Sequence, residues 1–154
     1  MRTLRVDFPH PRDPSLRLVR EGPRFPVEVR VPVHLEDLLK GQGSPVPSPL
    51  QGLGLVDTGA SVSMVDLDAI ASLDMRPVGT ATLTTAGGPS QSPLYPVRLG
   101  IVLPGKAPVL VAAFSHITAG PLKRQGLLAL VGRDILQHGV VFYDGTLGSV
   151  TIGF

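Results

Sequence analysis

Hydrophobic residues along this chain recur at every second position or in short runs bounded by turn formers, a spacing that predicts strands far more often than helices. Between Phe25 and Leu35, Val27, Val29, Val31 and Val33 alternate with Glu28, Arg30, Pro32 and His34. That alternation predicts a half-buried strand, with Pro32 favouring a sheet edge. Glu36 to Lys40 suits one helical turn, and Gly41 to Gly52, with Pro45, Pro47 and Pro49, reads as a surface loop. Leu53, Leu55 and Val56, spaced by Gly54 and preceded by Gly52, form the kind of apolar run that fills a buried strand with close backbone neighbours. Ser63 and Asp66 then spell an S-x-x-D capping signal. Leu67, Ile70 and Ala71 fall on one face of the short helix it predicts, which Met75-Arg76-Pro77 ends.

Further on, Thr80 to Thr85 and Leu94 to Leu103 predict a long hairpin with a glycine-containing tip at Ala86 to Pro93. Val109 to Phe114 predicts another strand, Ser115 to Gln125 a connecting loop, and Leu127 to Val131 a second apolar run. Val140 to Tyr143 and Leu147 to Phe154 predict a closing hairpin about Asp144-Gly145. The expected fold is all-β, mainly strands with one or two short helices.

Composition supports one core and narrows the chemistry. At 154 residues and 43% hydrophobic the chain is large enough for a single domain, and its 18 Gly and 16 Pro suit many turns. The absence of Cys removes disulfides, thiolate catalysis and Cys-ligated metals. With 14 basic and 12 acidic residues neither sign dominates, so a nucleic-acid partner is not expected. The arginines and prolines before Phe25 are diluted by Asp7, Asp13 and Glu21, and residues 1–24 are expected to form a partly extended, solvated lead-in. An arm for nucleic acid or an acidic partner is the weaker alternative. No basic and apolar leader or bilayer-length apolar stretch stands out, so a cytoplasmic protein without membrane contact is expected.

One string names a chemistry. Asp57-Thr58-Gly59-Ala60-Ser61 follows the Leu53 to Val56 run, which delivers a carboxylate at the end of a buried strand. Gly59 supplies freedom for a tight turn, and Thr58 and Ser61 offer hydroxyls that fix it or pair across an interface. Alone, the string suits an ordinary Asp-capped loop better. A second element changes the balance: Leu127 to Val131 ends in Gly132-Arg133-Asp134 and continues as Ile135-Leu136-Gln137-His138, a segment of helical type.

Together these two elements resemble the retropepsin-like, or retroviral-type, aspartic proteases, in which a D-T/S-G-A strand end and a later apolar-G-R-D/N-helix element frame one catalytic lobe. The resemblance spans Pro26 to Phe154 and implies a retropepsin-like acid protease barrel over residues 25–154, one lobe per chain. It implies that Asp57 is catalytic and that Thr58, Gly59, Ala60 and Ser61 form the active-site loop. Ala86, Gly87 and Gly88 would belong to a flap that closes over extended peptide, while Gly132, Arg133 and Asp134 would be structural. Such chemistry needs two carboxylates sharing one proton. The chain offers one suitable Asp, because Asp144-Gly145-Thr146 has the motif's residues in the wrong order. A homodimer supplying two copies of Asp57 is therefore expected, with no cofactor and no metal.

The sequence also departs from the viral pattern. Val62 and Ser63 stand where viral enzymes often place acidic residues, and the flap tip has Pro89 and no aromatic. Ala60 lacks the hydroxyl that would favour the charged dyad, so the activity optimum is expected at weakly rather than strongly acidic pH. A dimerising, peptide-binding module without catalysis is the main alternative, since fold does not settle activity. Gly59 to Ser63 lacks the last glycine of a nucleophile elbow, and His10, His34, His116 and His138 lack ligand spacing. Serine-hydrolase and metal chemistries have no support. Gly41-x-Gly43 and Gly52-x-Gly54 lack the context of a nucleotide site.

Overall fold

The computed structural model describes residues 1–7, 13–85, 87–102, 108 and 110–154. In chain order the elements are β1 (Thr3–Asp7), α1 (Pro14–Glu21), β2 (Arg24–Arg30), α2 (Val33–Gly41) and β3 (Leu50–Val56). They continue with β4 (Met64–Asp66), α3 (Leu67–Ala71), β5 (Gly79–Thr85), β6 (Gly88–Ile101) and β7 (Leu110–Gly120). A 3-10 turn at Lys123–Gln125 precedes β8 (Ala129–Val131), α4 (Arg133–Leu136), β9 (Val140–Asp144) and β10 (Ser149–Gly153). The chain is mainly β and forms one lobe, and among the described residues it has four short helices where one or two were expected.

Strands pair in the order β2-β3-β8-β4-β7-β6-β5, and an added pairing of β2 with β6 closes the first six into a barrel. Closure removes the unpaired edges of those strands, and β5 hangs outside as the partner of β6 in a hairpin. Inside lie Phe25, Val27 and Val29 from β2 and Val97, Leu99 and Ile101 from β6, all essentially inaccessible. Gly54 lets β2 and β3 approach, since a Cβ there would stand 2.6 Å from Val27 Cγ1. A second sheet, β1-β10-β9, packs Leu4, Val150 and Ile152 into the same core.

Several expectations are corrected here. The Val27 strand ends at Arg30 and is paired on both sides, so it is no edge. Pro32 instead caps α2 at the point where a missing N–H costs nothing, and Val33 turns outward on that helix, 51% exposed. Glu28, expected on the solvent face, is buried, and Arg30 donates to both of its carboxylate oxygens, at 2.6 and 3.1 Å. Residues 115–120, expected as loop, extend β7, and Ile117 to Gly120 are buried between β4 and β6. The arm expected to be solvated contributes β1, which pairs with β10, and α1, whose Leu18 is fully buried. Arg2, Arg5, Asp7, Asp13, Arg17 and Arg20 are exposed, which is why composition alone hid the buried Leu4 and Leu18.

Glu36 ties α2 to the barrel. It accepts from Lys40 at 2.6 Å and pairs with Arg98, which also donates to the Val31 carbonyl at 2.9 Å. The Lys40 hydrogen bond first, then that of Arg98, lowers the Glu36 carboxyl below its usual value. A carboxyl lowered in the folded state stabilises above its unfolded pKa and loses that contribution as pH falls through the folded value. Glu36→Gln is therefore expected to lower the melting temperature at neutral pH. That difference should begin to close below about pH 4.3, the ordinary carboxylate range, as thermal melts across pH would show.

Candidate active site

Strand β3 runs parallel to β8, with Val56 opposite Val131, and both chains leave the sheet together at Asp57 and Gly132. The Asp57 N–H still donates to Val131 O at 3.0 Å, so the carboxylate emerges where the ladder stops. The backbone then turns back on that side chain. Gly59 N–H donates to Asp57 Oδ1 at 2.8 Å and Ala60 N–H reaches the same oxygen at 3.3 Å. Among the described residues Oδ2 accepts no hydrogen bond. Asp57 is half-buried, while Thr58, Gly59 and Ser61 are exposed. One carboxylate oxygen is anchored and the other is presented.

The later motif braces this loop from beneath. Arg133 N–H donates to Ala60 O at 3.0 Å, and its guanidinium donates to Thr58 O at 3.0 Å. Asp134 accepts twice from Ser63, from N–H at 2.9 Å and from Oγ at 2.6 Å. The Gly132 N–H donates to Ser63 Oγ at 3.0 Å, and Thr118 Oγ1 donates to Ser63 O at 3.1 Å. These contacts join Thr58, Ala60 and Ser63 to Gly132, Arg133 and Asp134.

Ser63 is the residue that sequence reasoning misplaced. The S-x-x-D signal assigned it to a helix start, but the cap of α3 is Asp66, whose Oδ2 accepts from Ala69 N–H at 2.9 Å. Only Ile70 of the expected helix face is buried; Leu67 and Ala71 face outward. Ser63 is 1% exposed and takes part in four of the contacts above. A serine six residues past the Asp, facing an Asp two residues past the later glycine, is the pattern that would have found it. Ser63→Ala leaves the Gly132 N–H unpaired in the interior and removes the Oγ bond to Asp134. The expected cost is about 2 kcal/mol, or a melting temperature lower by about 4–8 °C for a chain of this size, measurable by calorimetry.

Of the three residues placed at the flap, Ala86 lies outside the described residues. Gly87 and Gly88 sit at the β5–β6 tip, with Gly88 opposite Thr85 and at φ 103°, a left-handed value suited to glycine. Asp144 Oδ1 accepts from Leu147 N–H at 2.9 Å within the β9–β10 turn, remote in role from Asp57. Among the described residues no group of His, Asp and Glu is placed to hold a metal ion, and no helix is long and apolar enough to cross a membrane.

No family model matches this chain, and no curated protein does. Solved structures similar in shape include the following two. The solution structure of Simian Foamy Virus (mac) protease matches at 17% identity and TM-score 0.39, covering 71% of this chain and 88% of its own. A retropepsin-like aspartic protease from Rickettsia conorii matches at 17% identity and TM-score 0.45, covering 98% and 91%. Likeness this distant leaves the chemistry to the contacts around Asp57.

Proposed function

We propose that this chain is a retropepsin-like aspartic endopeptidase that works as a homodimer. The observation that carries the reading is the half-anchored carboxylate. Oδ1 of Asp57 is held by two backbone N–H groups at the end of a buried strand, and among the described residues Oδ2 accepts no hydrogen bond. A lone carboxylate is a poor engine for amide hydrolysis, whereas two at near contact share a proton and hold a water between them. A two-fold axis beside the exposed Thr58 sets Asp57 against its own copy.

In that dimer one carboxylate takes the proton of the bound water while the other, protonated, polarises the scissile carbonyl. Water attacks directly and no covalent intermediate forms. Thr58 joins the two loops through its hydroxyl. The β5–β6 hairpin, with Gly87 and Gly88 at its tip, closes over an extended peptide, excludes bulk water and pairs with the substrate backbone as an added strand.

The test is a peptide library incubated with the protein across pH, with sedimentation of the same samples. Cleavage with a bell-shaped, weakly acidic profile from a dimer is expected, since a dyad titrates as a unit. Cleavage by a species that stays monomeric at every concentration would remove the dyad. Peptide binding without cleavage at any pH would leave a recognition module in its place.

A further inference from the structure

Two consecutive peptide units join Asp57 to Arg133. The Gly59 and Ala60 N–H groups that hold Asp57 Oδ1, at 2.8 and 3.3 Å, belong to the same peptide units as the Thr58 and Gly59 carbonyls. Arg133 Nη1 donates to the Thr58 carbonyl at 3.0 Å and reaches that of Gly59 at 3.5 Å, while the Arg133 backbone N–H donates to Ala60 O at 3.0 Å. A cation drawing on the carbonyl end of an amide makes the N–H at the other end a stronger donor, and hydrogen bonds in such a chain reinforce one another by about 10–30% each. Nothing else claims the guanidinium. Among the described residues Arg133 makes no ion pair, and the neighbouring Asp134 carboxylate is taken by Ser63, at 2.6 and 2.9 Å. Arg133 is exposed, so fixing its long side chain costs rotamer freedom that the carbonyl contacts have to offset.

Resting on the peptidase reading above, we propose that Arg133 is a positioning residue of that reaction, holding and polarising the two peptide units that fix Asp57 Oδ1. The consequence lies at Oδ2. With Oδ1 pinned by strengthened donors the carboxylate is kept from turning about its Cβ–Cγ bond, and the oxygen left for chemistry keeps one aim. Without the guanidinium the turn still closes, because Ala60 N–H also donates to Asp57 O at 3.2 Å and the Arg133 backbone still holds Ala60 O. The grip on Oδ1 weakens, and the aim spreads. Chemistry then slows while peptide binding, which draws on the rest of the cleft, does not. A lysine keeps the charge and a donor on a flexible stem, so it recovers part of the grip.

The experiment compares wild type with Arg133→Met and Arg133→Lys. It reads kcat and KM for peptide cleavage, the dimer fraction by sedimentation and, by NMR, the amide proton shifts of Gly59 and Ala60. Arg133→Met is expected to lower kcat about tenfold or more with KM held within about twofold. The dimer fraction should match wild type, and both amide protons should move upfield as their hydrogen bonds weaken. Arg133→Lys should recover much of the kcat and of the shifts. If Arg133→Met does not fold, Arg133→Gln, polar and uncharged, carries the same expectation. A wild-type kcat in the uncharged variant, or amide protons that do not move, overturns the proposal. So does a loss of activity that only follows dissociation or unfolding, or one that Arg133→Lys fails to relieve. Absence of cleavage by wild type overturns the peptidase instead. The amides then decide alone: shifts that the uncharged variant moves and Arg133→Lys restores keep the hold of Arg133 on the carboxylate, and any other pattern overturns it as well.

Discussion

Asp57→Asn is expected to reduce peptide cleavage at least about a thousandfold, the scale on which a positioned acid–base group acts, while leaving the fold intact. The reason lies in which oxygen does what. An Asn side chain keeps an acceptor for the Gly59 and Ala60 N–H groups, which sit 2.8 and 3.3 Å from Oδ1, so the loop has no cause to move. What changes is Oδ2, where a group that can take and return a proton becomes an amide that can do neither. Sedimentation and melting temperature should match wild type. Mixing equal amounts of the two proteins sharpens the result: if subunits exchange freely, only about a quarter of the dimers carry two carboxylates. Activity should then fall toward a quarter of the unmixed value per total protein. A fall to one half would mean that each chain works alone, and cleavage that survives the substitution would remove Asp57 from the chemistry.

Legibility in the sequence followed the range of the interactions. Asp57-Thr58-Gly59 and Gly132-Arg133-Asp134 could be read because each motif is contiguous and its residue types have few other uses. That they meet follows from the parallel pairing of β3 with β8, which no local pattern encodes. The hairpin β5–β6 and the closing β9–β10 were visible because strand alternation and turn chemistry agree there. Ser63 was misread because two acceptor-rich residues three apart imitate a capping box, and only the position of Asp134 across the fold distinguishes the cases. Val33 was misread because four alternating valines continue past the proline that ends the strand. The burial of Leu18 and the extension of β7 to Gly120 came from barrel and sheet closure, where neighbours distant in sequence decide what is covered.

Gly132→Ala is expected to damage stability and the Asp57 loop together. Its φ of −91° is open to any residue, so the demand is for space rather than backbone freedom. A Cβ at this position would stand 2.6 Å from Val62 C, 2.7 Å from Val62 O and 3.0 Å from Ser63 N. These are backbone atoms of the segment that leads from the Asp57 loop into β4, so no side-chain rotation relieves the overlap. The segment has to shift, and with it the Gly132 to Ser63 hydrogen bond and the Asp134 bonds to Ser63. Overpacking of this kind costs about 1–3 kcal/mol. With the strained bonds added, a fall in melting temperature of about 6–12 °C is expected for a chain of this size. Activity should drop further than the loss of folded protein explains, because the loop that moves is the one that aims Asp57. Gly41→Ala is the matching control: a Cβ there meets nothing within 4 Å, and the site lies at the end of α2. It should stay within about 0.5 kcal/mol of wild type. Equal melting temperatures for the two variants would mean that Gly132 does not press against Val62, and the brace beneath the Asp57 loop would have to be redrawn.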